Sequence, residues 1–276
     1  MGKKLLLILF VAAAVVACKK TAFTGRKQLN LIPNAQLNQM SFAEYKTFLS
    51  QNAAKTEKSG SEYEMVRRIG NDIKLAAETY YKQKGMEKDL RGFAWEFNVI
   101  DDPTVNAFCM PGGKVIVYTG ILKVTQNEDA LAVVMGHEIA HALANHGNER
   151  VSQGLVAQLG LASLDVALAQ KPTQTRELLM TAAGAATQVG VLLPFSRKHE
   201  SEADEIGLYL MAMAGYNPTE AEPFWQRMNK AGGSRPPAFL STHPDPKKRS
   251  ETLKSLVPKA RAYAKKYPAK GSSRIK

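Results

Sequence analysis

His137-Glu138-Ile139-Ala140-His141 places two imidazoles four residues apart, with a carboxylate directly after the first. At 3.6 residues per turn the two histidines share one helix face, about 6 Å apart along the axis, which suits two nitrogen ligands on one tetrahedral Zn²⁺. Glu138 falls beside such a metal rather than on it, where it can take a proton from the water that the metal activates. One Zn²⁺ per chain is the implied cofactor. A zinc site that does chemistry needs a third protein ligand and an open position. His146 lies five residues past His141, but the extended motif with a third histidine needs it six past, where Gly147 stands. Read locally, His146 is a helix C-terminal residue favoured by the helix dipole. The stretch Arg197-Lys198-His199-Glu200-Ser201-Glu202-Ala203-Asp204 serves better. Glu200 and Asp204 are one turn apart, so the first can ligate while the second holds a ligand imidazole through its other nitrogen. Glu202 and Glu205 read as a solvated acidic face, and His199 has no assigned role.

These residues need elements to hold them. The motif helix starts with Thr125 and Glu128 in capping-box spacing and ends near Asn145 to Gly147. Upstream, Asn34 to Leu49 and Ser61 to Lys84 read as scaffold helices, the second with Tyr63, Val66, Ile69, Ile73 and Ala77 at helical spacing. Phe93 to Ile100 and Lys114 to Thr119 are β-rich around Pro111-Gly112-Gly113, which predicts a small sheet beside the motif helix. Downstream the pattern is helical: Val151 to Ala169, an uncharged stretch from Leu178 to Phe195 read as a buried or lid-like helix, Arg197 to Ala214, and Thr219 to Ala231. The fold class is therefore α+β and mainly helical.

The 276 residues are 45% hydrophobic and 22% charged, which excludes wholesale disorder, and two cysteines make no disulfide framework. Lys3 and Lys4 followed by an apolar run from Leu5 to Ala17 read as a secretory signal. Val15-Val16-Ala17-Cys18 resembles a bacterial lipobox, which makes Cys18 a lipid anchor and implies the periplasmic face of a bacterial outer membrane. The formal charge of +12 falls to +10 without Lys3 and Lys4, and seven basic residues from Lys259 to Lys276 carry most of that excess. This tail reads as a solvated terminus, with attachment to anionic lipid as the alternative. Nucleic acid is not expected as a partner. The expected organisation is a signal peptide at 1–17, a lipidated segment with a scaffold helix at 18–57, a zinc-site domain at 58–257 and a basic tail at 258–276.

HEIAH, the later Glu200-Ser201-Glu202-Ala203-Asp204, and Asn106-Ala107-Phe108 with Pro111-Gly112-Gly113 together resemble the gluzincin metallopeptidases of the CAAX prenyl endopeptidase, HtpX and BepA-like family. Thr24-Gly25-Arg26-Lys27-Gln28-Leu29-Asn30 after the lipobox is similar to the opening of exported lipoprotein members. The resemblance implies a gluzincin-type domain that cleaves polypeptides, with His137, His141 and Glu200 on zinc, Asp204 behind them and Glu138 as base. It places an edge strand for substrate near Asn106, Ala107 and Phe108. His243 and Arg249 reproduce the family's late histidine and arginine six apart, which implies stabilisation of an oxyanion. In BepA-like members that histidine can instead close the metal site, so two functions stand: an endopeptidase acting on unfolded or misassembled envelope proteins, or a latent zinc-containing assembly factor or chaperone closed by His243.

Overall fold

A computed structural model describes residues 18–171, 173–187, 193–231, 237–243 and 246–275. The signal expected at 1–17 and part of the stretch expected at 178–195 lie outside the described residues. Strands β1 (Cys18–Lys20) and β2 (Lys27–Leu29) pair antiparallel, with Cys18 opposite Leu29. Helix α1 (Asn34–Gln51) follows, then β3 (Thr56–Glu57) and α2 (Ser61–Gln83). Val66, Ile69, Ile73, Ala76, Ala77 and Tyr80 recur at helical spacing in α2, and all are buried.

Strands β4 (Glu96–Ile100), β5 (Ala107–Met110) and β6 (Lys114–Tyr118) join β3 in one sheet of order β3-β4-β6-β5. The central strand β6 pairs parallel with β4 and antiparallel with β5. Its Val115, Ile116 and Val117 are fully buried, because a strand covered on both faces reads as an unbroken apolar run. Gly112 and Gly113 turn the chain between β5 and β6 at φ of 82° and 86°, a region that strains any residue with a Cβ. β5 lies at the sheet edge.

Helix α3 (Thr119–Thr125) leads into α4 (Glu128–Leu143), which carries the HEIAH motif. The expected capping box does not form. Thr125 closes α3 and its hydroxyl donates to the Leu122 carbonyl at 3.1 Å, while Asn127 caps α4, its Oδ1 accepting from the Ala130 amide at 2.8 Å. From Ala130 to Ala140 every residue of α4 is buried, so the helix runs through the core rather than along its surface.

Helices α5 (His146–Ala167), α6 (Thr173–Thr187), α7 (Leu193–Met213), α8 (Ala221–Ala231), α9 (Ala238–Thr242) and α10 (Pro246–Lys266) complete the chain. The mainly helical α+β fold is as expected. Two local expectations are not met. Helix α6 is not buried: Leu178 is 70% exposed and Leu179 43%, while Arg176 Nε holds Asp165 of α5 at 2.7 Å. Its apolar composition is a surface property here, and among the described residues no helix is long and apolar enough to cross a membrane. Nor is the basic C-terminus frayed. It continues α10 and then docks: the Ala269 amide donates to the Met213 carbonyl at 3.0 Å, the Ser273 amide to Asp72 at 2.7 Å, and Arg274 pairs with Asp129 at 3.1 Å.

Candidate metal centre

Helices α4 and α7 touch backbone to backbone. A Cβ on Gly207 would lie 2.7 Å from the His137 nitrogen, and one on Gly136 2.8 Å from the Gly207 carbonyl oxygen. Only glycine allows that approach, and it brings His137 against Glu200 and Asp204, two turns and one turn earlier on α7. His137 Nε2 and His141 Nε2 are 3.0 Å apart, and each lies 3.4 Å from a Glu200 carboxylate oxygen. His243, at the end of α9, adds Nδ1 at 3.1 Å from His137 Nε2 and 2.8 Å from Glu200 Oε2. One donor atom from each of these four side chains falls within 4.8 Å of the others.

This donor set fits zinc. Bonds of 2.0–2.1 Å to a tetrahedral ion put ligand atoms about 3.3 Å from one another, close to the separations found. The electrostatics agree. Burial and Arg249 push the His137 imidazole down, yet Asp204 and Glu200 outweigh them and carry it up to about 9. Burial holds His141 well below the usual imidazole range, in the neutral form that ligates. Burial opposes ionisation of Glu200, but hydrogen bonds from His137, His141 and His243 hold it far below the usual carboxylate range.

Around the donors the remaining predicted residues fall into place. Asp204 is buried and its Oδ1 lies 3.0 Å from His137 Nδ1. Arg249 Nε donates to Asp204 Oδ2 at 2.8 Å, its Nη2 also reaches Oδ1, and its Nη1 lies 3.2 Å from Glu200. Its guanidinium also stacks 3.7 Å above the Trp225 ring. Arg249 thus divides its donors between the site's carboxylates and its imidazole, with Nη2 also 3.0 Å from His137 Nδ1. Glu138 is buried, burial pushes its carboxyl up, and Oε1 has no hydrogen-bond partner among the described residues, with His243 Nε2 3.3 Å away. Ala107 and Phe108 are on edge strand β5, and the carbonyl of Asn106, just before it, accepts from the Tyr118 amide at 3.1 Å. Cys18 stands at the start of β1 in the N-terminal hairpin, opposite Leu29.

The sequence matches the model of peptidase family M48 over residues 70–257. The chain belongs to that family. The gluzincin-type domain and the enzyme class read from HEIAH both follow from M48 membership. Among relatives, the mitochondrial metalloendopeptidase OMA1 of Schizosaccharomyces pombe is 43% identical over 172 residues, covering 60% of this chain and 48% of that protein. The human mitochondrial metalloendopeptidase OMA1 is 32% identical over 264 residues, covering 92% of this chain and 48% of its own length. The β-barrel assembly-enhancing protease of Escherichia coli is 32% identical over 162 residues, 56% of this chain and 33% of that protein. The chain thus spans about half the length, or less, of these M48 relatives.

These matches overturn the expected location on the periplasmic face of a bacterial outer membrane, because relatives from fission yeast, Arabidopsis thaliana, budding yeast and human, 32–43% identical, are mitochondrial by name. The expectation rested on the resemblance of Val15-Val16-Ala17-Cys18 to a bacterial lipobox after a basic and apolar leader, and so short a stretch does not by itself identify the membrane system it serves.

Sequence reasoning misplaces His146 and Glu202 and leaves His199 without a role. His146 is not a helix C-terminal residue; it opens α5, is buried, and puts Nδ1 2.9 Å from His141 Nδ1 and Nε2 3.0 Å from Glu202. Glu202 is not solvated. It is 5% exposed and takes Arg26 Nε at 2.6 Å, the Thr21 hydroxyl at 2.9 Å and the Thr24 hydroxyl. His199 Nε2 bonds Glu149 at 2.9 Å, and Arg26 also grips Glu149 through Nη1 and Nη2 at 2.9 and 2.7 Å. The signal available was the ionisable residues left over in His146-Gly147-Asn148-Glu149 and in His199 and Glu202, which no surface helix face required.

Proposed function

We propose that this chain is a zinc-dependent metalloendopeptidase, with residues 58–257 as its catalytic domain and with unfolded or misassembled polypeptides as substrates. The observation that carries the reading is the convergence of His137 Nε2, His141 Nε2 and the Glu200 carboxylate at 3.0–3.4 Å beside Glu138, whose Oε1 has no hydrogen-bond partner among the described residues. Zinc held there supplies a Lewis acid that polarises a peptide carbonyl and makes water acidic enough to attack near neutral pH. Glu138 takes the proton from the attacking water and returns it to the leaving amine; its raised affinity for protons, a consequence of burial, suits that exchange. Asp204 accepts from His137 Nδ1–H, which keeps the opposite nitrogen free to ligate, and Arg249 fixes Asp204. Edge strand β5 with Asn106, Ala107 and Phe108 offers main-chain groups for an extended peptide, a mode that reads little sequence. The names of the fission yeast and human relatives, metalloendopeptidases, support the same activity. Lipid attachment at Cys18 rests on the Val15-Val16-Ala17-Cys18 sequence alone, and intact-mass measurement of the purified protein tests it.

The test of the main reading is Glu138→Gln, which preserves side-chain shape and removes the proton acceptor. Zinc content should be unchanged and casein cleavage should fall by at least two orders of magnitude. Cleavage at the parent rate would refute the assignment.

A second reading concerns the resting state. His243 Nδ1 lies where a fourth ligand belongs, 2.8 Å from Glu200 and 3.1 Å from His137 Nε2, and the Phe239 amide ties its helix to the Val105 carbonyl at 3.1 Å, directly before the proposed substrate strand. A segment so placed competes with water at the site and with peptide at the edge. The enzyme is then latent until α9 moves, and the zinc-containing assembly factor remains the alternative to a standing protease.

A further inference from the structure

Behind His141 runs a chain of hydrogen bonds whose direction can be worked out from valence. His141 can give its Nε2 lone pair to a metal only as the tautomer protonated at Nδ1. That Nδ1–H faces His146 Nδ1 at 2.9 Å, so His146 must accept there and carry its own proton on Nε2. Its Nε2 in turn faces Glu202 Oε2 at 3.0 Å, and a carboxylate can only accept. Glu202 is kept ionised and immobile by residues from the β1–β2 turn: Arg26, Thr21 and Thr24 all donate to it. Arg26 bonds Glu149 as well, and Glu149 receives His199, whose ring stacks on His146 with centroids 4.5 Å apart. Every member of this chain except Arg26 and Thr24 is buried or nearly so.

We propose that His146 and Glu202 are positioning residues that set the tautomer and ring orientation of His141, and that the turn Thr21 to Arg26 locks them from the N-terminal side. This rests on the zinc reading above. It also gives a role to the Thr24-Gly25-Arg26 stretch, which lies more than a hundred residues from the metal ligands in sequence yet reaches His141 through two intermediates. His137 receives the same service in one step from Asp204; His141 Nδ1 faces His146 and receives it in two.

The polarity of the relay makes the test specific. A glutamine at 146 can accept from His141 through its carbonyl oxygen and donate to Glu202 through its amide, as the imidazole does, whereas a leucine fills similar space and does neither. Zinc affinity is measured by competition with a chromogenic chelator for the parent chain, His146→Leu and His146→Gln, with circular dichroism as the control for folding. His146→Leu should bind zinc ten- to a hundredfold more weakly, and His146→Gln should recover most of that loss. In the zinc-loaded parent chain, imidazole nitrogen–proton correlation spectra should place the proton of His141 on Nδ1 and that of His146 on Nε2, a readout that needs no variant and survives if His146→Leu does not fold. Equal zinc affinity in the parent and a folded His146→Leu, or a proton on His146 Nδ1, would overturn the relay while leaving the peptidase reading intact. Failure of the parent to bind zinc would overturn both.

Discussion

Gly207→Ala sets two opposed effects of known size against each other. Alanine is favoured over glycine in a helix interior by about 1 kcal/mol, so a helix with room for a methyl group is stabilised by the exchange. At Gly207 there is no room. The added Cβ would meet the His137 nitrogen at 2.7 Å, the Gly136 carbonyl carbon at 2.8 Å and the His137 Cα at 2.9 Å, all backbone atoms of a helix buried on every side. Ordinary contact begins near 3.4 Å, so α4 and α7 must separate by roughly 0.7 Å, and overpacking of this kind costs about 1–3 kcal/mol. The clash therefore outweighs the propensity gain. Separation also moves Glu200 and Asp204 away from His137, so zinc affinity should fall together with stability. Gly184 in α6 supplies the control, because nothing lies within 4 Å of its Cβ position. Thermal unfolding with and without zinc should show Gly207→Ala melting several degrees below the parent and gaining less from zinc, and Gly184→Ala melting at or slightly above the parent. A Gly207→Ala protein with raised melting temperature and unchanged zinc affinity would refute the claim that backbone contact at this crossing builds the site.

Two further outcomes follow from named contacts. Burial raises the Glu149 carboxyl, but hydrogen bonds from His199 and Arg26 outweigh it and bring it down from 4.5 to about 2, a depression worth about 3 kcal/mol in a side chain that is 2% exposed. A folded value below the unfolded one stabilises above pH 4.5 and loses that stabilisation as pH falls towards 2, so the urea midpoints of the parent and Glu149→Gln should differ most at pH 6 and converge on acidification; a gap independent of pH would refute the pairing. His243→Ala removes the fourth donor, and release of a plug should raise casein cleavage severalfold, whereas a fall would make His243 a stabiliser of the oxyanion instead.

The parts of the site that were legible in sequence are those fixed by helical spacing. His137 and His141 share a face because 3.6 residues make a turn, and Glu200 with Asp204 repeat that geometry on a second helix. What spacing does not encode is which helix faces meet. Glu202 and Glu205 look alike in sequence, yet the first is 5% exposed and bound by Arg26 from 176 residues away, while the second pairs with Lys259 near the surface. The role of His146 is not legible locally because its second partner, Glu202, comes from 56 residues further along the chain. Thr125 and Asn127 are both able to cap α4, and local sequence does not show that the Thr125 hydroxyl is taken by Leu122. The C-terminus looked solvated because its charge is legible and its docking partners, Asp72, Met213 and Asp129, are not.

The central claim is that His137, His141 and Glu200 hold one zinc ion beside Glu138. Crystals of the purified chain, measured on both sides of the zinc absorption edge, test it most directly. The account predicts a single anomalous peak within about 2.0–2.2 Å of His137 Nε2, His141 Nε2 and a Glu200 oxygen. No peak there, or zinc bound by other residues, would contradict it.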